Sequence, residues 1–236
     1  MALRSEKRIG ALLIVLASAA AAQPLRFQVR HQHWRKGATG ELRIDPDTLS
    51  FQESGKKKFH SREWKYQDIQ QLVLSPDRLS ILTYEDNRRQ MGRDREFHFD
   101  RLPKELAAKA YPLFRGRLDQ RFIAALADSE LKPLWQIRAK LLHKLGGSEG
   151  VLLVGEERIV YSTREGDASR TWRLRDIDNV SSSGPFDLTF TTLERAEWHH
   201  GGPREVRFQL KEALSEDRYK QLWRKISFQS HSGEQP

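Results

Sequence analysis

The chain has no cysteine among its 236 residues. That excludes a disulfide framework, a thiolate zinc site, a cysteine nucleophile and a lipidated N-terminal cysteine. Also missing are a Walker phosphate loop, an HExxH helix and a GxGxxG turn. No catalytic residue, no metal ligand set and no cofactor is therefore assigned. Glycine (15) and proline (9) are too few for a low-complexity chain. With 38% hydrophobic and 31% charged residues, the sequence can instead bury a core. One charge sign dominates: 41 Lys and Arg stand against 32 Asp and Glu, a net charge of +9. At about 150 residues per domain the length fits one large domain or two small ones.

The N-terminal segment has the form of a targeting signal. Arg4, Lys7 and Arg8 make a positive start, and a 14-residue apolar stretch runs from Ile9 to Ala22. Ala20-Ala21-Ala22 before Gln23 matches a small-residue cleavage site. As a helix the stretch spans about 21 Å, short of the roughly 30 Å hydrocarbon layer. The expectation is a signal peptide over 1–22 and an exported, periplasmic or secreted protein. An uncleaved membrane anchor is the alternative. Cleavage removes three basic residues and one acidic residue, lowering the net charge from +9 to +7.

The remainder is written twice. Phe27-Gln-Val-Arg30 matches Trp135-Gln-Ile-Arg138 at an offset of 108, and polar turns ending at Gly40 and Gly150 follow. Leu42, Ile44, Leu49 and Phe51 then match Leu152, Val154, Ile159 and Tyr161 at an offset of 110. Trp64-Lys-Tyr-Gln-Asp68-Ile69 matches Trp172-Arg-Leu-Arg-Asp176-Ile177, and Arg95–Phe99 matches Arg204–Phe208. Such sustained self-similarity marks a duplication. Within repeat 1, apolar residues alternate at 27/29, 42/44, 49/51, 64/66, 72/74, 79/81 and 97/99, which predicts seven short half-buried strands. Helical spacing follows from Leu102 to about Ala127, where Pro112 is expected to kink or split the helix, and from Leu210 to Phe228 in repeat 2. The expected domains are 23–130 and 131–230, with a linker at 128–133 and a loose tail at 231–236.

Seven strands and a closing helix, twice, with a Trp-x-apolar-x-Asp-Ile step at 64–69 and 172–177, resemble tandem pleckstrin-homology-like domains of the bacterial PH/GRAM-like kind. The resemblance implies a mainly β fold of two small barrels, each capped by a C-terminal helix and used for binding instead of catalysis. It also implies a tryptophan against the barrel end; Trp223 stands at that position in repeat 2, whereas repeat 1 has Arg115. Fold alone does not assign a function.

In such barrels the loops after strands 1, 3 and 6 share one end. In repeat 1 these loops are 34–40, 55–58 and 86–95, and their charges total +7; the matching loops of repeat 2 total −1. Arg35, Lys36, Lys56, Lys57, Lys58, Arg88, Arg89 and Arg93 are therefore the candidate residues for an anionic ligand. The bland alternative is that turns simply collect solvated cations. Trp34, beside Arg35 and Lys36, reads as an interfacial aromatic.

His31 and His33 lie two apart on a strand, aligned with Ala139 and Leu141, so they read as an inward pair. A metal would need a third ligand that the sequence does not place. Asp68 and Asp176 read as turn residues. The leading function is an exported, non-enzymatic module contacting phospholipid headgroups or an acidic envelope polymer. A protein-interaction adaptor in the cell envelope is the alternative, and a hydrolase with an unrecognised site, using Asp68 and a histidine, comes last. Nucleic acid, suggested by the basic charge, is set aside by the export signal.

Overall fold

The computed structural model describes residues 23–33, 37–55, 58–87, 92–117, 121–165, 168–195 and 203–231. The signal segment 1–22, Trp34, Arg35, Lys36, Lys56, Lys57, Arg88, Arg89 and residues 232–236 lie outside the described residues.

Repeat 1 forms β1 (Leu25–His31), β2 (Ala38–Ile44), β3 (Thr48–Glu53), β4 (Arg62–Lys65), β5 (Ile69–Leu74), β6 (Leu79–Asp86) and β7 (Asp94–Asp100). Helix α1 (Lys104–Arg117) and a short strand β8 (Arg121–Ala124) follow. Repeat 2 forms β9 (Trp135–Leu142), β10 (Gly147–Val154), β11 (Arg158–Thr163), β12 (Arg170–Arg173), β13 (Ile177–Ser181), β14 (Asp187–Arg195), β15 (Pro203–Leu210) and α2 (Glu216–His231). The period-2 pattern works as expected: Phe27, Val29 and His31 of β1 are buried, while Arg26 and Gln28 face outward. Each Trp-x-apolar-x-Asp step places its tryptophan in a core and folds its last three residues into one turn of 3-10 helix (Tyr66–Asp68 and Leu174–Asp176). Gly40 and Gly150 lie within β2 and β10, not in turns. A Cβ there would come within 2.2 Å of the Gln52 carbonyl oxygen or 2.3 Å of that of Ser162, so only glycine fits.

The strands do not close into two barrels. All fifteen hydrogen-bond in one open order, β13-β14-β15-β9-β10-β11-β12-β8-β5-β6-β7-β1-β2-β3-β4. The cause is β8, which the 3.6-residue spacing had assigned to the helix. It pairs parallel with β5 (Leu72 opposite Phe122) and antiparallel with β12 (Ala124 opposite Thr171). It thereby takes the edges of β5 and β12 that barrel closure would use. Pairing on both sides outweighs helical spacing in so short a segment. Helix α1 accordingly ends at Arg117, yet it runs unbroken through Pro112. Both Pro112 and Ala108 are exposed, so water can satisfy the Ala108 carbonyl that proline leaves without a donor. Helix α2 starts at Glu216 and not at Leu210, which is the last residue of β15. Its inward face carries Tyr219, Leu222 and Ile226; Trp223, expected against the barrel end, is 48% exposed.

Each repeat keeps its own core. Leu42, Phe51, Trp64, Leu72, Phe99 and Phe114 centre the first, and Leu152, Tyr161, Trp172, Phe190, Phe208 and Leu222 the second. Between the cores, the expected linker holds a buried charge cluster. The Asp128 side chain is only 2% exposed. Its Oδ2 accepts from the Tyr111 hydroxyl at 2.8 Å and from Arg115 Nη1 at 3.1 Å, both on α1. Arg158 Nε of β11 lies 2.6 Å from the same oxygen as a charge contact outside hydrogen-bond geometry. Oδ1 accepts the Glu130 N–H at 2.9 Å. Burial pushes the Asp128 carboxyl up. The Tyr111 and Glu130 hydrogen bonds, with the Arg158 and Arg115 charges, outweigh that and hold it below the usual carboxylate range. Thr171 of β12 completes the joint, donating to the Leu126 carbonyl at 2.8 Å and accepting the Asp128 N–H at 3.0 Å.

Removing this carboxylate leaves the Arg158 and Arg115 charges without their partner. Asp128→Ala should lower the unfolding free energy of the full chain by about 3–5 kcal/mol in urea titrations. Tyr111→Phe, which loses one neutral donor, should cost about 1 kcal/mol.

Candidate binding end of repeat 1

Three connections of repeat 1 leave the same end of the sheet, and their bases are in contact. His33 lies in the β1–β2 connection, and its ring centroid lies 4.0 Å from that of His60 in the β3–β4 connection. Arg62 of β4 donates to Glu85 of β6 at 2.7 and 2.8 Å, and Arg95 of β7 reaches the same carboxylate at 3.5 Å. Both guanidinium groups also sit over the Phe97 ring, at 5.1 and 5.0 Å from its centroid. The Asn87 N–H bonds the Arg93 carbonyl at 2.7 Å, closing the base of the third connection.

Of the eight candidate cations, Lys58 and Arg93 are described, and both are exposed at this end. The other six belong to the segments outside the described residues. Arg95, counted in the loop charge, is paired with Glu85.

The matching end of repeat 2 carries both signs, with Lys144 and Arg164 exposed beside Glu149 and Glu165. The Glu149 N–H bonds Glu165 at 3.4 Å, and Lys211 Nζ lies 3.1 Å from the Glu149 carboxylate. The Tyr161 hydroxyl donates to the Ser148 carbonyl, filling the space beneath.

The histidines differ from the expected inward pair. His31 ends β1, 5% exposed, with its ring stacked 5.0 Å from Phe99 and its Nδ1 buried without a hydrogen-bond partner. His33 lies beyond the strand and is exposed, so the two do not share an inward face. The strand register also differs from the sequence match. Phe27 opposes Leu42, whereas Ile137 opposes Leu152, so β1 and β9 correspond at an offset of 110, not 108. A shift of two keeps every residue on its face, which is why periodicity alone did not reveal it. His31 thus corresponds to Leu141, and His33 to His143.

The third imidazole comes from His60, which no sequence pattern singled out. Its ligand nitrogen and those of His31 and His33 all lie within 4.8 Å of one another. His60 is held from below: its N–H donates to Glu53 Oε2 at 3.0 Å, while the Glu53 N–H donates to Ser61 Oγ at 3.0 Å. Repeat 2 preserves the second bond, from Thr163 N–H to Ser169 Oγ at 3.1 Å, but has Ala168 where His60 stands. That internal comparison was the available signal.

Burial, then the neighbouring His33, His60, His98 and Arg95 charges, push His31 down to about 4. His33 is lowered too, by burial and then His60, against a counteracting pull from Glu53. Both rings are therefore neutral at pH 7. Asp100 anchors the end of β1 and the residue between the two histidines, accepting from Arg30 Nε at 2.7 Å and from Gln32 Nε2 at 2.7 Å.

Two other polar groups have structural partners. Ser80 Oγ meets His98 Nδ1 at 2.8 Å, and His98 Nε2 lies 3.6 Å from Glu96. The serine is buried and directly opposite the histidine in the ladder, so this is a cross-strand tie between β6 and β7. Asp176 is fixed by Arg173 at 2.6 and 3.0 Å, whereas Asp68 is exposed.

No protein-family model and no curated protein matches the chain. Solved structures do. The Vps36 N-terminal PH domain aligns at 15% identity, covering 44% of this chain and 84% of that one, with a TM-score of 0.33. The Spt16D Pob3N heterodimer aligns at 12% identity over 80% and 98%, with a TM-score of 0.33. The C-terminal domain of an unknown protein from Leishmania infantum aligns at 11% over 50% and 93%, with a TM-score of 0.32. At such scores, a PH-like reading of each repeat rests on this chain's own order of seven strands and one helix.

Arg30 and Gln32 hold Asp100 down to about 2, well under its ordinary 3.8. A carboxyl depressed by folding contributes stability that is complete above its unfolded value and lost as pH falls through its folded one. Thermal melts should therefore lose on the order of 2 kcal/mol between about pH 4 and pH 2 through this group. Asp100→Asn should remove that part of the acid dependence and weaken the neutral-pH fold.

Proposed function

We propose that the protein is an exported, non-enzymatic binding module whose first repeat presents a basic loop end to an anionic surface, a phospholipid headgroup layer or an acidic envelope polymer. The observation that carries this reading is the difference between two ends of common descent. In repeat 1 the bases of three connections meet, and Lys58 and Arg93 are exposed there. In repeat 2 the same place is near neutral, with Lys144 and Arg164 beside the Glu149 and Glu165 carboxylates over a tyrosine plug. Cations clustered on connections at one end raise the local anion concentration, and salt screens that attraction within roughly 8–10 Å. The further cations Arg35, Lys36, Lys56, Lys57, Arg88 and Arg89 belong to the same three connections. Export rests on the N-terminal sequence. Among the described residues no helix is long and apolar enough to cross a membrane.

The adaptor reading has one observation in its favour. Trp223, 48% exposed, and Phe228, 75% exposed, lie with Ser227 along one apolar groove of α2. Exposed aromatics of this size mark contact surfaces more often than a scattered leucine does.

Each cation near an anionic lipid layer contributes about 1 kcal/mol. The double variant Lys58→Glu/Arg93→Glu should therefore bind phosphatidylglycerol vesicles about 30-fold or more weakly at about 0.1 M salt, with an unchanged melt. Arg164→Glu in repeat 2 should leave binding intact. Binding of a soluble acidic polysaccharide but not of vesicles would select the polymer. Wild-type-like vesicle and polymer binding by the double variant would shift the choice to the adaptor.

A further inference from the structure

We propose that His31, His33 and His60 form a metal site for a divalent late first-row ion of the zinc class, held by three imidazoles with a fourth position left for water or an added ligand. Nothing in this depends on the anionic-surface reading.

The ligand chemistry fits. Imidazole suits zinc and its neighbours, and sites with three protein ligands keep a position for water or an added ligand. The buried, unpartnered Nδ1 of His31 supplies an independent reason. An unsatisfied buried polar atom is costly, and ligation is one way to remove that cost.

The geometry is close to closed. Two nitrogens at 2.0–2.1 Å from a tetrahedral ion stand about 3.3 Å apart. The three here lie within 4.8 Å of one another before any ion draws them in. His31 is fixed in β1 between Phe99, Phe51 and Phe97, whereas His33 and His60 stand on connections and have room to turn. The backbone beside each is anchored: the Gln32 side chain donates to Asp100, and the His60 backbone N–H donates to Glu53. Glu53 also brings a negative charge near His33, which favours a cation. Arg95 acts against it, reduced by its pairing with Glu85.

The sister repeat is an internal control. Its strands and its Ser169 turn are the same, but Leu141, His143 and Ala168 occupy the three positions. One imidazole is left of three, and the pattern of a fold-driven histidine would not be expected to vanish in two places at once. The same comparison supplies substitutions that this fold accommodates.

The test uses untagged full-length protein stripped with a chelator and titrated with Zn2+ by calorimetry, with Co2+ absorption as the coordination readout. Wild type should take one Zn2+ per chain, show the visible bands of tetrahedral Co2+, and gain about 5–10 °C in Tm at a hundredfold excess over Kd. His31→Leu and His60→Ala, each installing the repeat 2 residue, should weaken Zn2+ at least about 100-fold and abolish the Co2+ bands. His143→Ala should change neither. His60 is half-buried on a connection, so its variant keeps the comparison sound if His31→Leu melts early. Zn2+ uptake below one per chain in wild type, or equal affinity in wild type and His60→Ala, would overturn the site.

Discussion

One buried carboxylate fixes how the two halves of this molecule meet. Asp128 accepts from two residues of α1 and stands against an arginine of repeat 2, with almost no contact with water. A charge in that position is tolerable only when its partners are all present, so α1, the end of β8 and the β10–β11 turn region must be assembled together. Arg115 holds the helix position that Trp223 holds in repeat 2. One copy has used that position to build the joint, and the other leaves it facing solvent.

The copies also diverge around a shared ionic pattern. Arg62–Glu85–Arg95 and Arg170–Glu194–Arg204 are the same triad on the same strands. In each repeat one arginine nitrogen donates to both carboxylate oxygens; in repeat 2 the Arg170 and Glu194 side chains are nearly buried, whereas in repeat 1 the Glu85 carboxylate is half exposed. Opening the triad in repeat 1 goes with opening the end next to it. Repeat 2 closes that end with the Tyr161 hydroxyl, whereas repeat 1 has Phe51 and a histidine pocket. The scaffold is held in common, and its two ends have separated in chemistry.

Much of the strand pattern was readable from the chain, because alternation at 27/29, 42/44 or 97/99 directly reflects which face of a strand is buried. The Trp64 and Trp172 steps were readable for the same reason. Closure was not, since Phe122 fits helical and strand spacing equally well and only its neighbours β5 and β12 decide between them. The 108 offset between β1 and β9 misled by two residues because a two-residue slip preserves every face. His60 was invisible locally: its importance arises from rings brought together across 27 positions of chain by β2 and β3. Of the basic end, the charge contrast was legible in the chain itself, and the shared end of the three loops only through the pleckstrin-homology-like resemblance.

Splicing both repeats through β8 has a result for the rest of the surface. Two separate open ladders would each carry two unpaired borders, four in all. Joined as one, the described strands end only at β4 and β13. β4 is four residues long, with the charged Glu63 and Lys65 exposed on it, and β13 is five residues long, with Asp178 and Asn179 exposed. Short, polar margins are poor templates for adding a further chain. The small strand that ended the expectation of two barrels also leaves a fifteen-stranded ladder with little incentive to grow.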